Sequence, residues 1–287
     1  MNKTTRARIE QEFANQPLRP EEILTQEEIL SLPLPVQKYL IYTGVVGKAK
    51  PQNVRIKFEA EMFRKRGGAA MKSHSCQYNF FRDYSRIFLM KANMLGIPFR
   101  AQHIYSNRQA TFIVRVAGLF KVVDVGGEEL TKTETVTILN DMCVFAPGSL
   151  TDKRFSWKEV DSLTAEVTLT NGAFNVSARL LFNEKGELVN FVSDDRSALQ
   201  DDGTLKIFRW TTPVNDYKEF EGRSIPTYGE AIWHYPDGDF TYGKFRLKNI
   251  KYNVSQNATQ HELSSKLEGK TLLKFRCSCK LNRNHYL

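Results

Sequence analysis

Between Asn53 and Met62 every second residue is apolar. Val54, Ile56, Phe58, Ala60 and Met62 alternate with Arg55, Lys57, Glu59 and Glu61. Successive side chains of an extended strand point to opposite faces, so this stretch can bury one face and wet the other. That is the pattern of a half-exposed antiparallel strand, because parallel strands are covered on both faces. The alternation returns in residues 164–170 (Ala165, Val167, Leu169) and again at Val176, Ala178, Leu180 and Phe182. Asn171-Gly172 separates these two runs, and both residues tolerate the positive φ of a tight hairpin turn.

Further strands are expected at residues 75–81, 85–92, 99–106, 110–116, 119–125, 156–161, 188–193, 206–210, 215–220, 227–235 and 240–252. Most are joined by short turns, including Asn107-Arg108 and Pro236-Asp237-Gly238-Asp239. Repeated strand–helix–strand units are absent, which excludes a doubly wound sheet or an α/β barrel. Helices are expected at residues 6–13, 20–30 and 36–43. Thr25 and Glu28 have the spacing of a capping box, Pro35 suits a first helical turn, and Gly44 a helix stop. Residues 128–141 read both ways. Three of its threonines favour a strand, whereas Glu128 and Glu129 after Gly126-Gly127 open a helix, and a helix is expected. Residues 143–150 read as a loop. The resulting organisation is a helical extension (1–31), one antiparallel β domain of about eleven strands with a few helices on one face (32–252), and a basic, flexible tail (253–287).

Charge narrows the partners. The 287-residue chain carries a net +9, of which +5 lies in residues 251–287, so the body is nearly balanced. A nucleic-acid binder would concentrate Lys and Arg on a folded face, and nucleic acid is not an expected partner. The cysteines, Cys76, Cys143, Cys277 and Cys279, are too few for a disulfide scaffold in a chain of this size. Cys277-Ser-Cys279 with His285 lacks the second ligand pair of a zinc site, and neither metal nor cofactor is expected. Residues 1–15 have no signal-peptide pattern, and no apolar run is long enough to span a bilayer. As written, the chain reads as cytoplasmic, with envelope association requiring an anchor outside it.

One set of motifs resembles a bacterial family that carries only a domain-of-unknown-function label. It comprises Leu32-Pro33-Leu34-Pro35-Val36-Gln37-Lys38-Tyr39-Leu40, Gly44-Val45-Val46-Gly47, Trp157-Lys158-Glu159-Val160-Asp161, Asp216-Tyr217-Lys218-Glu219-Phe220, Pro226, Gly229-Glu230-Ala231 and residues 233–242, Trp-His-Tyr-Pro-Asp-Gly-Asp-Phe-Thr-Tyr. The resemblance covers residues 32–252, its last motif being the most specific, and it implies no activity. The chain departs from it at Val144-Phe145-Ala146-Pro147, where relatives have Trp-Phe-Pro, and after Asn253. More loosely, the strand count with few helices is similar to the LolA-like lipoprotein carriers. That likeness implies a large curved sheet forming an open half-barrel, with acyl chains bound in its apolar interior.

The candidate sites are correspondingly modest. Glu230, His234 and Asp237 offer an acid–base set, since residues 230 and 234 of a strand share a side. The alternative role of Asp237 is to form backbone hydrogen bonds in its turn. Asp237-Gly-Asp239 lacks the further ligands of a calcium loop. Trp210, Tyr217 and Trp233, with Glu230, His234 and Asp237, form the candidate ligand-pocket cluster. Arg82, Arg100, Arg115 and Arg196 are candidate contacts for an anionic group. Met90, Met94, Leu95, Ile97 and Phe99 form an apolar stretch suited to a lid or to packing. The expected function is non-enzymatic binding or carriage of a lipid-like or other apolar molecule. The alternatives are an envelope-associated protein-interaction module and a hydrolase using His234 with Glu230 or Asp237.

Overall fold

The alternating stretch forms β1 (Asn53–Met62), with Val54, Ile56, Phe58 and Ala60 buried. The structure, a computed structural model, describes residues 3–94, 96–200 and 202–256. Fifteen strands lie among them. After β1 come β2 (Met71–Phe80), β3 (Ser85–Met94), β4 (Ile97–Ser106), β5 (Gln109–Val116) and β6 (Phe120–Gly126). Then follow β7 (Phe155–Asp161), β8 (Thr164–Asn171), β9 (Phe174–Phe182) and β10 (Leu188–Ser193). The series ends with β11 (Ser197–Leu199), β12 (Leu205–Ile207), β13 (Arg209–Phe220), β14 (Arg223–Tyr235) and β15 (Gly238–Tyr252). Thirteen strands make one antiparallel sheet in the order β6-β5-β4-β3-β2-β1-β15-β14-β13-β10-β9-β8-β7, and β11–β12 is a separate hairpin. Residues 19–253 form one compact unit, and the described residues before and after it belong to another.

This topology corrects the expected half-barrel. The strand order runs from β6 at one end to β7 at the other, and each of these pairs with a single neighbour. The result is an open antiparallel sheet with helices on one face, neither curled nor closed into a half-barrel. Alternation determines which side of a strand is buried. The course of the whole sheet depends on stagger and bulges that alternation does not encode.

Local turn chemistry was largely as expected. Asn107-Arg108 turns β4 into β5 with φ of 52° and 57°. Asn171, however, ends β8 and pairs with Phe174, so the tight turn is Gly172-Ala173, and Gly172 supplies its positive φ of 65°. The Asn171 amide is thereby free to donate to the Tyr105 hydroxyl, 2.6 Å away.

Among the described residues four α-helices accompany the strands: α1 (Lys3–Asn15), α2 (Gln26–Ile29), α3 (Leu34–Tyr42) and α4 (Glu128–Phe145). The helix expected over 20–30 shortens to α2. Leu24 instead bonds its backbone to Lys48 and Gly47, at 2.9 and 2.8 Å, and Ile23 bridges Ala49. A residue that spends its N–H and C=O on a neighbouring segment cannot also build a helical turn. The capping box of α2 forms as expected between Thr25 and Glu28. In the other compact unit, α1 carries an Arg6–Glu10 ion pair along one side.

Helix α4 settles the ambiguous segment and runs on through part of the expected loop. Apart from Lys132, every residue from Leu130 to Val144 is buried. Many of them are polar, and three threonines satisfy their hydroxyls within the helix. Thr131, Thr135 and Thr137 donate to the carbonyls of Gly127, Thr131 and Thr133 at 2.7, 2.8 and 3.1 Å. The Tyr39 hydroxyl of α3 donates to the Cys143 carbonyl at 2.8 Å, joining the two helices. Cys143 itself is fully buried, and burial pushes its thiol well above the ordinary value. Among the described residues, no helix is long and apolar enough to cross a membrane.

Candidate functional site: a cavity beneath helix α4

A cavity of ≈ 740 Å³ lies between α4, the β11–β12 hairpin and one face of the sheet, all within residues 19–253. Strand alternation makes its walls. Phe99, Ala101, Val114 and Val116 face it from β4 and β5, and Phe58 and Phe245 from β1 and β15. The intervening Arg100, Arg115 and Lys57 point to the other side of the sheet. Val122 and Leu199 belong to the lining and are exposed to solvent at 57% and 37%, so the space is not sealed. Its size lies in the range of sites that enclose small ligands, roughly 300–1,000 Å³.

One part of the wall is polar and ordered. Asp141 of α4 accepts N–H donors from Gln77, Asn79 and Arg86 on one oxygen, at 2.7, 2.9 and 2.8 Å. Arg86 also donates to Glu134 at 3.1 Å, and His103 Nδ1 lies 3.2 Å from the other Glu134 oxygen. The His103 ring stacks on Phe112 at 3.7 Å between centroids. Burial opposes the charge on Glu134, but His103 and the guanidinium groups of Arg86 and Arg196 outweigh it and hold its carboxyl down at about 2. Burial pushes the Asp141 carboxyl above its ordinary value, against the pull of Arg86 and Asn79. Further along α4, Asn140 donates to Thr212 at 2.6 Å. Buried charges of this kind persist where partners satisfy them.

Arg196, just before β11, is only 8% exposed and lines the same cavity. Its guanidinium carbon lies 4.2 Å from the Trp210 ring centre and 5.0 Å from that of Trp233. Its Nε donates to the Thr137 hydroxyl at 3.3 Å and its Nη1 to the Tyr242 hydroxyl at 3.2 Å.

The expected cluster is divided by the structure. Trp210, Glu230 and Trp233 line the cavity, whereas Tyr217, His234 and Asp237 do not. Tyr217 donates to the Leu188 carbonyl and packs edge-on against Tyr42 of α3. His234 is held at both ring nitrogens, by Asp239 at 2.7 Å and Thr211 at 2.9 Å. Asp237 pairs in bidentate fashion with Arg66, each bond 2.7 Å, which holds its carboxyl below the ordinary value. Glu230 accepts from Tyr228 and Thr241. Glu230 and His234 stand four residues apart on β14, about 13 Å along an extended strand, and each is bonded to other partners. The geometry therefore assembles no acid–base set of His234 with Glu230 or Asp237.

Among the four arginines, Arg196 alone lines the cavity. Arg82 pairs with the adjacent Asp83. Arg100 and Arg115 are cross-strand partners on the opposite side of the sheet. Of the apolar stretch, Met90 and Phe99 line the cavity and Ile97 is exposed. The side chain of Met94, with Leu95, Cys277, Cys279 and His285, lies outside the described residues, as does the basic tail from residue 257.

Gln77, Asn79, Arg86, Glu134 and Asp141 were not anticipated as site residues. The signal was present in β2, where Ser73, Ser75, Gln77 and Asn79 fall at every second position. They pair with Ala60, Phe58, Ile56 and Val54, the buried side of β1. A polar stripe in register with an apolar one marks a polar patch facing inward. The β1–β2 register needed to see this came only with the structure.

Three solved structures share a loose likeness of fold. A DUF1329 family protein from Desulfovibrio piger is 12% identical, with a TM-score of 0.43 over 78% of this chain and 95% of that one. A LolA superfamily protein from Nitrosomonas europaea is 9% identical, with a TM-score of 0.41 over 78% and 94%. A putative outer membrane lipoprotein-sorting protein domain from Vibrio parahaemolyticus is 10% identical, with a TM-score of 0.36 over 74% and 90%. No curated protein sequence matches the chain. The model of a family of unknown function, DUF6544, matches residues 22–245, which include α4 and every cavity-lining residue but Leu247, and the chain belongs to that family.

Proposed function

We propose that this protein binds an apolar small molecule, or one with an apolar chain, in the cavity beneath α4. The observation that carries this reading is the ≈ 740 Å³ space walled by Phe58, Phe99, Val114, Val116, Trp233 and Phe245. Well-packed interiors leave few voids larger than a water molecule, so an apolar space of this size is built for an occupant. At about 30 Å³ per water-sized group, it holds roughly 25 such groups, enough for one long acyl chain with its head group. Binding without catalysis is the reading supported by the described geometry, in which His234, Glu230 and Asp237 are each bonded elsewhere.

The test is extraction of the protein, purified without detergent, into organic solvent, followed by mass spectrometry. Near-stoichiometric recovery of an apolar species, either co-purified or taken up from a lipid extract, is the expected result. Protein that carries none and acquires none would overturn the reading.

A second reading, strand addition by a protein partner, is favoured by the free edge of β6. Leu119, Phe120 and Val122 there are 76%, 67% and 57% exposed, and an open edge offers unpaired backbone groups to another strand. If this reading holds, a proline at Phe120, which does not line the cavity, abolishes self- or partner association and leaves apolar-ligand binding intact. Association that survives the substitution would exclude that edge.

A further inference from the structure

Arg196 and Arg86 are both buried guanidinium groups lining the cavity, but their surroundings differ. Arg86 has two carboxylates, Glu134 at 3.1 Å and Asp141 at 2.8 Å. Arg196 has none within ion-pair distance among the described residues, and its hydrogen bonds go to two neutral hydroxyls, those of Thr137 and Tyr242. Glu134 feels its charge but is bonded to Arg86 and His103. The remaining terminal nitrogen, Nη2, makes no hydrogen bond among the described residues. A charge only 8% exposed, lying over two indole rings and lacking a carboxylate, is an expensive arrangement for a protein to keep. The two indole contacts and the two hydroxyl bonds hold the guanidinium in place while leaving N–H donors at the cavity wall. A planar fork held in this way suits an oxyanion, which it can meet with two parallel bonds.

We infer that Arg196 is the head-group contact of the cavity, and that its ligand is a long-chain acyl compound ending in an anionic oxygen group. This rests on the apolar-ligand reading above and deepens it. The head group lies between Thr137 of α4 and Trp210, Trp233 and Tyr242 of the sheet. The chain extends toward Phe99, Val114 and Val116, which β4 and β5 supply several strands away in the sheet order. A carboxylate and a phosphate monoester share this chemistry. Neither requires a covalent step or a metal.

The experiment is calorimetric titration of the full chain with hexadecanoate, with the uncharged hexadecan-1-ol and with palmitoyl lysophosphatidate. It uses wild type, Arg196→Met and Arg196→Lys. Wild type is expected to bind at least one of the two anions about 10- to 100-fold more tightly than the alcohol, the span of a buried charge-assisted bond. Arg196→Met removes that preference and keeps the alcohol affinity, which also shows that its cavity is folded. Arg196→Lys retains part of the preference. Whichever anion binds more tightly through Arg196 identifies the head group as carboxylate or phosphate. Equal affinity of wild type for anions and alcohol overturns the inference and leaves the apolar-ligand reading standing, as does a preference that survives Arg196→Met. Absence of binding by all three compounds overturns both. Should Arg196→Met not fold, an anion preference in Arg196→Lys equal to that of wild type counts against the guanidinium contact, and a reduced one supports it.

Discussion

Arg86 is the residue on which the polar wall depends. It is the shared partner of Glu134 and Asp141, and all three side chains are less than 10% exposed. Removing one member of such a group leaves the others charged and desolvated. Arg86→Met is therefore expected to lower unfolding stability by about 3–5 kcal/mol in denaturant titrations. The triple replacement Arg86→Met, Glu134→Gln, Asp141→Asn should recover part of that loss, since no uncompensated charge remains. A single Arg86→Met variant as stable as wild type would show that the network does not bear on folding. Glu134 makes a second, pH-dependent prediction. Its carboxyl is held at about 2, below its ordinary 4.5, so folding favours the ionised form. The stabilisation it contributes is fully present above about pH 4.5 and is lost as pH falls through about 2. Glu134→Gln should consequently flatten the acid side of the stability profile in that window. An unchanged slope would mean that other carboxylates govern acid sensitivity.

Among the elements, the strands at the β6 end of the sheet carry a liability. Lys91, Arg100, Arg115 and Lys121 face one another in succession across β3, β4, β5 and β6, on the side away from the cavity. Lys121 pairs with Asp124, while Arg100 and Arg115 have no ion-pair partner among the described residues. Like charges directly opposite destabilise a sheet, and Arg115→Glu should raise stability by roughly 0.2–1 kcal/mol, less at high salt. A lower denaturation midpoint for that variant would contradict the reading of this row. The row also shows what the sequence made legible at this scale. Arg100 and Arg115 were recognisable as cations on strands, but their direct opposition depends on register. β1 was readable because its pattern is local and its two faces differ in polarity. α4 was ambiguous for the opposite reason. It is buried nearly all round, so no solvent face marks its period, and Thr131, Thr133, Thr135 and Thr137 carry strand propensity into a helix. Trp210, Trp233 and Arg196 could be named as a kind of residue that lines pockets. Gln77, Asn79 and Glu134 could not, because an inward polar side chain looks like an outward one until its partners are known.

In the whole molecule, the open sheet and α4 are joined by side chains that leave a space between them, and the proposed function requires that space to take a ligand. Two of the chain's three tryptophans, Trp210 and Trp233, line it, whereas Trp157 on β7 does not. A bromine-labelled alkyl chain quenches an indole only at close range, so fluorescence titration with brominated fatty alcohols of increasing length reports occupancy of this cavity directly. The predicted result is saturable quenching at one ligand per chain, with residual emission from Trp157. Affinity should rise by about fourfold for each added methylene, the equivalent of roughly 0.8 kcal/mol, until the chain fills the cavity. Quenching that never saturates, or that falls equally on Trp157, would contradict the claim that the space beneath α4 is a binding site.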